Sequence, residues 1–128
     1  MARIGYARVS TTDQDLDIQI GRLKNAGCEI IRSETGSGAS RSGRTELETI
    51  MQFMHTGDEL VVLRLDRLGR SMAHLIETVR RLEAKGIGFR SLTEGVDTTT
   101  PGGTLVFHLF RALAQFERDL IRERTSAG

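Results

Sequence analysis

The residues best suited to chemistry lie near the start of the chain, where Ser10 closes the run Ile4-Gly5-Tyr6-Ala7-Arg8-Val9. On a strand, side chains two apart project from the same face, so the Arg8 guanidinium and the Ser10 hydroxyl are placed to converge on one small anionic group. That pairs a nucleophile with an anion clamp. The same residues also fit a helix start, with Thr11 as N-cap and Gln14 at the capping-box position. Both readings stand from this segment alone.

A second constellation is Asp66-Arg67-Leu68-Gly69-Arg70-Ser71. Arg67 and Arg70 are three apart at a helix entry, which makes them neighbours on one side of it. The cations of the chain are nearly all arginine, the only lysines being Lys24 and Lys85. Guanidinium forks bind phosphate oxygens bidentately and stay charged when partly buried. A net charge of +1 nevertheless argues against strong non-specific DNA binding by this chain alone.

These side chains need a scaffold, and 128 residues suffice for one domain with a real core and an appendage. An apolar strand at 3–9 is followed by a helix over 13–26, with Leu16, Ile20 and Leu23 on one face and Ala26-Gly27 as its stop. A strand at 28–32 leads into the Gly/Ser-rich loop 36–44, a helix over 45–55 and a strand at 59–65. A helix over 71–85 turns Leu75, Ile76, Val79 and Leu82 inward, and the strand 87–92 follows. The order βαβαβαβ predicts an α/β fold with a mostly parallel sheet flanked by helices on both faces. In such sheets ligands collect at the carboxyl ends of the strands, where Ser10 and Asp66–Ser71 both fall.

Pro101-Gly102-Gly103 opens a different pattern, a long helix whose first part, Leu105 to Phe116, is apolar on nearly every side. A helix apolar all round must be buried all round, and the preceding body is too small to wrap it, so a partner subunit is expected. Its polar exceptions, His108, Arg111, Gln115, Arg118 and Arg122, fall in a stripe that reads either as a solvated face or as a basic edge towards a phosphate backbone. The division expected is therefore 1–100 and 101–128. Cys28 is the only cysteine, which rules out a disulfide within the chain, and its neighbours suggest an inert thiol at a buried strand start. With no long apolar run and no signal-peptide pattern, the expected compartment is the cytoplasm and no membrane partner is expected.

Three blocks, Tyr6-Ala7-Arg8-Val9-Ser10-Thr11-Thr12-Asp13-Gln14, Leu65-Asp66-Arg67-Leu68-Gly69-Arg70-Ser71 and Glu117-Arg118-Asp119-Leu120-Ile121-Arg122-Glu123-Arg124-Thr125, resemble the signatures of the small serine recombinases. The resemblance covers the whole chain, and the segment 86–98 is more similar to the DNA invertases than to the transposon resolvases. It implies a resolvase-like catalytic domain in which Ser10 attacks a DNA phosphodiester, leaving a 5′-phosphoserine link and a free 3′ hydroxyl. One ester replaces another, so neither ATP nor metal nor any cofactor is implied. By the same resemblance Arg8, Arg67 and Arg70 hold the scissile phosphate, Arg44 joins them from the loop, and Asp66 orients arginines or helps proton transfer. Gln14, Gln19, Glu123 and Arg124 match positions near the site or the DNA.

The implied partners are double-stranded DNA and further copies of the chain, forming a homodimer or homotetramer through 104–116. An accessory DNA-bending protein is a further implied partner. Members of the family usually continue past the long helix into a helix-turn-helix domain, and the sequence ends at Gly128 without one, so the expectation is an isolated catalytic domain. Thr104 stands where invertase-like relatives commonly carry a basic residue.

Rival readings come from the residues themselves. Gly38-Ala39-Ser40-Arg41-Ser42-Gly43-Arg44-Thr45 matches the phosphate-loop pattern of nucleotide-binding phosphotransferases except for Arg44 in place of lysine, and a planar guanidinium is no simple substitute there. A calcium loop at Asp13–Asp17 fails because Ile18 replaces the turn glycine and Lys24 the bidentate glutamate. A two-metal nuclease lacks a carboxylate cluster. The non-enzyme alternative is a dimerising DNA-associated module in which Ser10 only caps a helix. His55, His74 and His108 lie in other segments and offer Ser10 no triad, so the sequence leaves the proton acceptor open.

Overall fold

The structure is a computed structural model that describes residues 2–9, 13–35, 46–69 and 71–127. Its elements are β1 (Arg3–Val9), α1 (Asp13–Asn25), β2 (Ile30–Thr35), α2 (Glu46–Phe53), β3 (Glu59–Val62), a short 3₁₀ turn (Leu65–Arg67), α3 (Met72–Ala84), β4 (Gly88–Ser91), β5 (Val96–Asp97) and α4 (Pro101–Ala127). The five strands form one sheet in the order β2-β1-β3-β4-β5. The first four run parallel and β5 returns antiparallel to β4. The α/β sandwich expected from the repeating βα pattern is therefore what the chain forms.

Alternation along the central strands divides the core between the two faces. Ile4 and Tyr6 of β1, Leu60 and Val62 of β3 and Phe89 of β4 face α2, α3 and the start of α4, where Leu47, Ile50, Val79, Leu82 and Phe107 complete the main core. Ala7 and Val61 face the other way and pack on Leu23 of α1. Among the described residues α1 is the helix that covers that face. All four inward residues expected of α3 are buried, and Ser71 caps it by accepting the His74 backbone N–H at 3.1 Å.

Several boundaries differ from those the sequence suggests. The second strand begins at Ile30, two residues late, and continues through polar residues to Thr35. It is an edge strand with a mostly exposed pattern, so its sequence carries no two-sided apolar run. Cys28 consequently precedes the strand and is half-buried, and burial pushes its thiol up to about 11. The third strand ends at Val62 rather than 65, because the chain turns so that both Leu65 and Leu68 insert into the core. The α4 helix starts at Pro101, and Gly103 is the residue that permits it: a Cβ there would lie 1.8 Å from the Asp97 carbonyl oxygen of β5. Among the described residues no helix is long and apolar enough to cross a membrane.

The opposite, amino end of the sheet is fastened by Asp58. Its carboxylate accepts the backbone N–H of Ala2 at 3.0 Å and of His55 at 2.8 Å, and these two donors hold its carboxyl below the usual carboxylate range.

Candidate active site at the carboxyl ends of β1 and β3

The chain leaves β1 for β2 on one side and later crosses to β3 on the other, so the crevice between the carboxyl ends of β1 and β3 is the topological switch point of the sheet. Arg8 stands on one side of it and the Leu65–Gly69 segment on the other. By strand alternation Arg8 shares the face of Ile4 and Tyr6, which points it towards α3 and the turn before it. Its Nη2 donates to the Asp66 carbonyl oxygen at 2.6 Å and to the Gly69 carbonyl oxygen at 3.2 Å. The first two arginine blocks picked out in the sequence are thus brought together by one guanidinium.

Gly69 makes that approach possible. A Cβ at this position would lie 2.7 Å from the Leu75 backbone, so only glycine lets the loop sit this close to α3 while presenting its carbonyl to Arg8. Asp66 is exposed, and its Oδ1 faces Arg64 Nε at 3.3 Å, while Arg67 is half-buried. Arg64, which the sequence reading passed over, therefore belongs to the cluster. Its signal was its place two residues before Asp66 in an arginine-rich stretch.

Gln19 supports Arg8 from the opposite face. It is fully buried on α1, its Oε1 accepts the Arg8 backbone N–H at 3.2 Å, and its Nε2 donates to the Arg8 carbonyl at 3.0 Å. The resemblance alone had placed Gln19 near the site. Its spacing three after Leu16 and four before Leu23 is the sequence signal that it points inward.

Tyr6 adds a third tie. Its hydroxyl donates to Glu34 Oε2, and Glu34 Oε1 accepts the backbone N–H of Glu46 at 2.8 Å, joining β1, β2 and the first turn of α2. Arg32 pairs with Glu46 at 3.4 Å along the same edge.

Ser10, Arg44 and Arg70 lie outside the described residues, as does the 36–45 segment with its phosphate-loop pattern. Gln14, Arg118, Glu123 and Arg124 are described only as parts of their helices, and Arg122 is exposed on α4. His55 is at the opposite end of the sheet with Asp58, and His108 lines a separate cavity with Thr98, Thr99 and Thr104. Among the described residues no group of three or more metal-ligating side chains occurs.

The apolar stretch of α4 is not wrapped by the body. Phe107 is buried, whereas Leu105, Leu109 and Phe116 are 61%, 57% and 59% exposed. A stripe of this kind on one helix is an uncovered apolar surface.

Residues 3–128 match the family described as "Resolvase, N terminal domain". Over 125 residues the chain is 50% identical to a DNA-invertase of Escherichia phage P1, covering 98% of this chain and 67% of that protein. It is 52% identical over 125 residues to the serine recombinase gin of Escherichia phage Mu, covering 98% of this chain and 64% of that protein. Among solved structures it is similar to the N-terminal catalytic domain of TP901-1 integrase, with a TM-score of 0.72 at 28% identity, covering 94% of this chain and 98% of that one. The chain thus spans about two thirds of the phage recombinases it resembles. With a mostly parallel sheet whose switch point gathers Arg8 and the Leu65–Gly69 loop, and with this match over nearly its full length, the chain belongs to the resolvase family of serine recombinases.

Proposed function

We propose that the chain is the catalytic part of a site-specific DNA recombinase of the invertase and resolvase type. The observation that carries this is the Arg8 guanidinium bridging β1 to the Asp66–Gly69 backbone, since it gathers the first two arginine blocks at the sheet's ligand-binding crevice. The Ser10 oxygen attacks phosphorus, the bond to the 3′ oxygen breaks, and the protein is left joined to the 5′ end through phosphoserine. The serine proton passes to an acceptor and the leaving 3′ oxygen emerges as a hydroxyl, which later reverses the reaction and reseals the strand.

In this reading Arg8, Arg44, Arg67 and Arg70 neutralise the charge that builds on phosphorus, a task preorganised guanidinium groups perform without a metal. Asp66 orients arginines, Gln19 fixes the Arg8 backbone, and Gln14, Glu123 and Arg124 border the site. Arg118 and Arg122 approach the DNA backbone from α4. Residues 1–100 form the catalytic body, and 101–128 a long helix by which copies assemble as dimers and tetramers. The exposed Leu105, Leu109 and Phe116 support that assembly. An accessory DNA-bending protein is a further partner of this reading, and the cytoplasm is its compartment.

The test is incubation of the chain, joined to a sequence-specific DNA-binding module, with supercoiled DNA carrying paired target sites in EDTA. Protein linked to 5′ ends on denaturing gels is expected, and Ser10→Ala abolishes it. Cleavage that required Mg²⁺ or ATP, or an adduct that survived Ser10→Ala, would overturn the reading.

A further inference from the structure

The Leu65–Arg67 turn has a capping problem. The N–H of its first residue, Leu65, has no acceptor within the turn, as at the start of every helical turn, and the residue before it, Arg64, supplies no side-chain cap. Leu65 is buried, so its N–H is not simply left to water. The acceptor comes from 29 residues away: both carboxylate oxygens of Glu94 reach the Leu65 N–H, at 3.3 and 3.2 Å.

Glu94 is itself tethered. Its Oε1 accepts the hydroxyl of Ser91, a fully buried residue at the end of β4. Ser91 pairs with Val62 of β3 on one side and Val96 of β5 on the other, so it is part of the rigid sheet. A continuous path therefore runs from the sheet through Ser91 and Glu94 to Leu65, and from the adjacent Asp66 carbonyl to Arg8. Glu94 also lines a cavity of about 400 Å³ with Arg64, Asp66, Gly69 and Ser71 on the flank of the same loop.

We propose that Glu94 is a positioning residue for the recombinase reaction: it fixes the turn that carries Asp66 and Arg67 against the sheet, at the spacing from Arg8 that phosphate binding requires. This rests on the function proposed above. Leu65 and Leu68 anchor the turn in the core by apolar contacts, which fix no direction for its backbone groups, and displacement of a charged donor by about 1 Å is enough to cost on the order of a hundred-fold in rate. The requirement is for an acceptor at this point rather than for a charge, so an amide oxygen serves in its place.

The experiment has two arms. In the isolated chain, amide hydrogen exchange is followed at Leu65 and Arg67, with Val61 and Val62 of β3 as internal reference. Glu94→Ala accelerates exchange at the turn ten-fold or more while the β3 amides are unchanged, and Glu94→Gln stays within three-fold of the parent. In the DNA assay, Glu94→Ala lowers the single-turnover rate of 5′-adduct formation ten-fold or more at saturating DNA. The concentration of DNA giving half-saturation is unchanged, and Glu94→Gln restores most of the rate.

Unaltered exchange at Leu65 in Glu94→Ala overturns the proposal, as does a Glu94→Gln variant as slow as Glu94→Ala. If the parent chain forms no adduct at all, the recombinase reading fails and with it the role in that reaction. The exchange arm then still reports separately whether Glu94 holds the turn.

Discussion

Arg8 donates to the main-chain oxygen of Asp66 at 2.6 Å, so a residue of the first strand and a residue of the turn after the third strand share one guanidinium. The contact is made to backbone rather than to the Asp66 carboxylate, which stays exposed and faces Arg64 instead. Arg8 therefore ties the loop to β1, and the proposed reaction asks of it a second duty, presenting positive charge at the crevice.

These duties separate by substitution. Arg8→Ala is expected to reduce the single-turnover rate of 5′-adduct formation by about 10²–10³-fold, the usual cost of removing one donor from a developing oxyanion. Its effect on stability is far smaller, about 1 kcal/mol in urea unfolding, because the bonds it loses are partly solvated. Arg8→Lys keeps the charge and loses the fork, and an intermediate rate is expected.

Gln19 behaves in the opposite sense. Gln19→Leu preserves volume but leaves the Arg8 N–H and carbonyl without their buried partner, and a loss of about 2–4 kcal/mol is expected in urea unfolding. The adduct rate falls as a consequence of the altered strand end. A variant as stable as the parent would show that the amide contributes nothing to holding β1.

Asp58 sets part of the acid limb of stability. Its carboxyl is lowered in the folded chain by the Ala2 and His55 N–H groups, so it contributes stability above its unfolded pKa of about 3.9 and loses it as pH falls through the lower folded value. Asp58→Asn is expected to be less stable than the parent at pH 7. The gap should narrow steadily below about pH 4 when urea unfolding is measured across the pH range.

The exposed apolar stripe of α4 predicts self-association. Sedimentation of the chain should show a concentration-dependent rise in mass, and Leu109→Asp should return it to monomer with the unfolding midpoint of the monomeric body unchanged, since Leu109 is exposed. An unchanged sedimentation profile in Leu109→Asp would assign the association to another surface.

Much of this arrangement was readable in advance where one local rule dominated. The α3 stripe of Leu75, Ile76, Val79 and Leu82 and the apolar run of β1 led directly to elements and core. Features depending on distant residues were not readable. The nearly continuous apolar run from Leu60 to Leu65 suggests a longer strand, and it masks the three-residue spacing of Leu65 and Leu68 that turns the chain inward. Strand β2 is polar because it is an edge, and β5 has two residues, too few for any period to register. The Glu94 contact with Leu65 joins segments 29 residues apart, which no local pattern encodes. At the site, the residue types pointed to phosphate chemistry, whereas the support given by Gln19 and Arg64 became visible only in three dimensions.

The antiparallel return of β5 also bears on how copies of this chain meet. A sheet border with free backbone groups invites another chain to add a strand, a route to uncontrolled fibrous growth. Here β5 occupies the outer side of β4 with only two residues, and at the other border β2 presents Arg32 and Glu34, each engaged with neighbours in its own fold. Both borders are blunted, one by brevity and one by charge. Strand addition is thereby disfavoured at both borders, so the assembly proposed above falls to the exposed apolar stripe of α4.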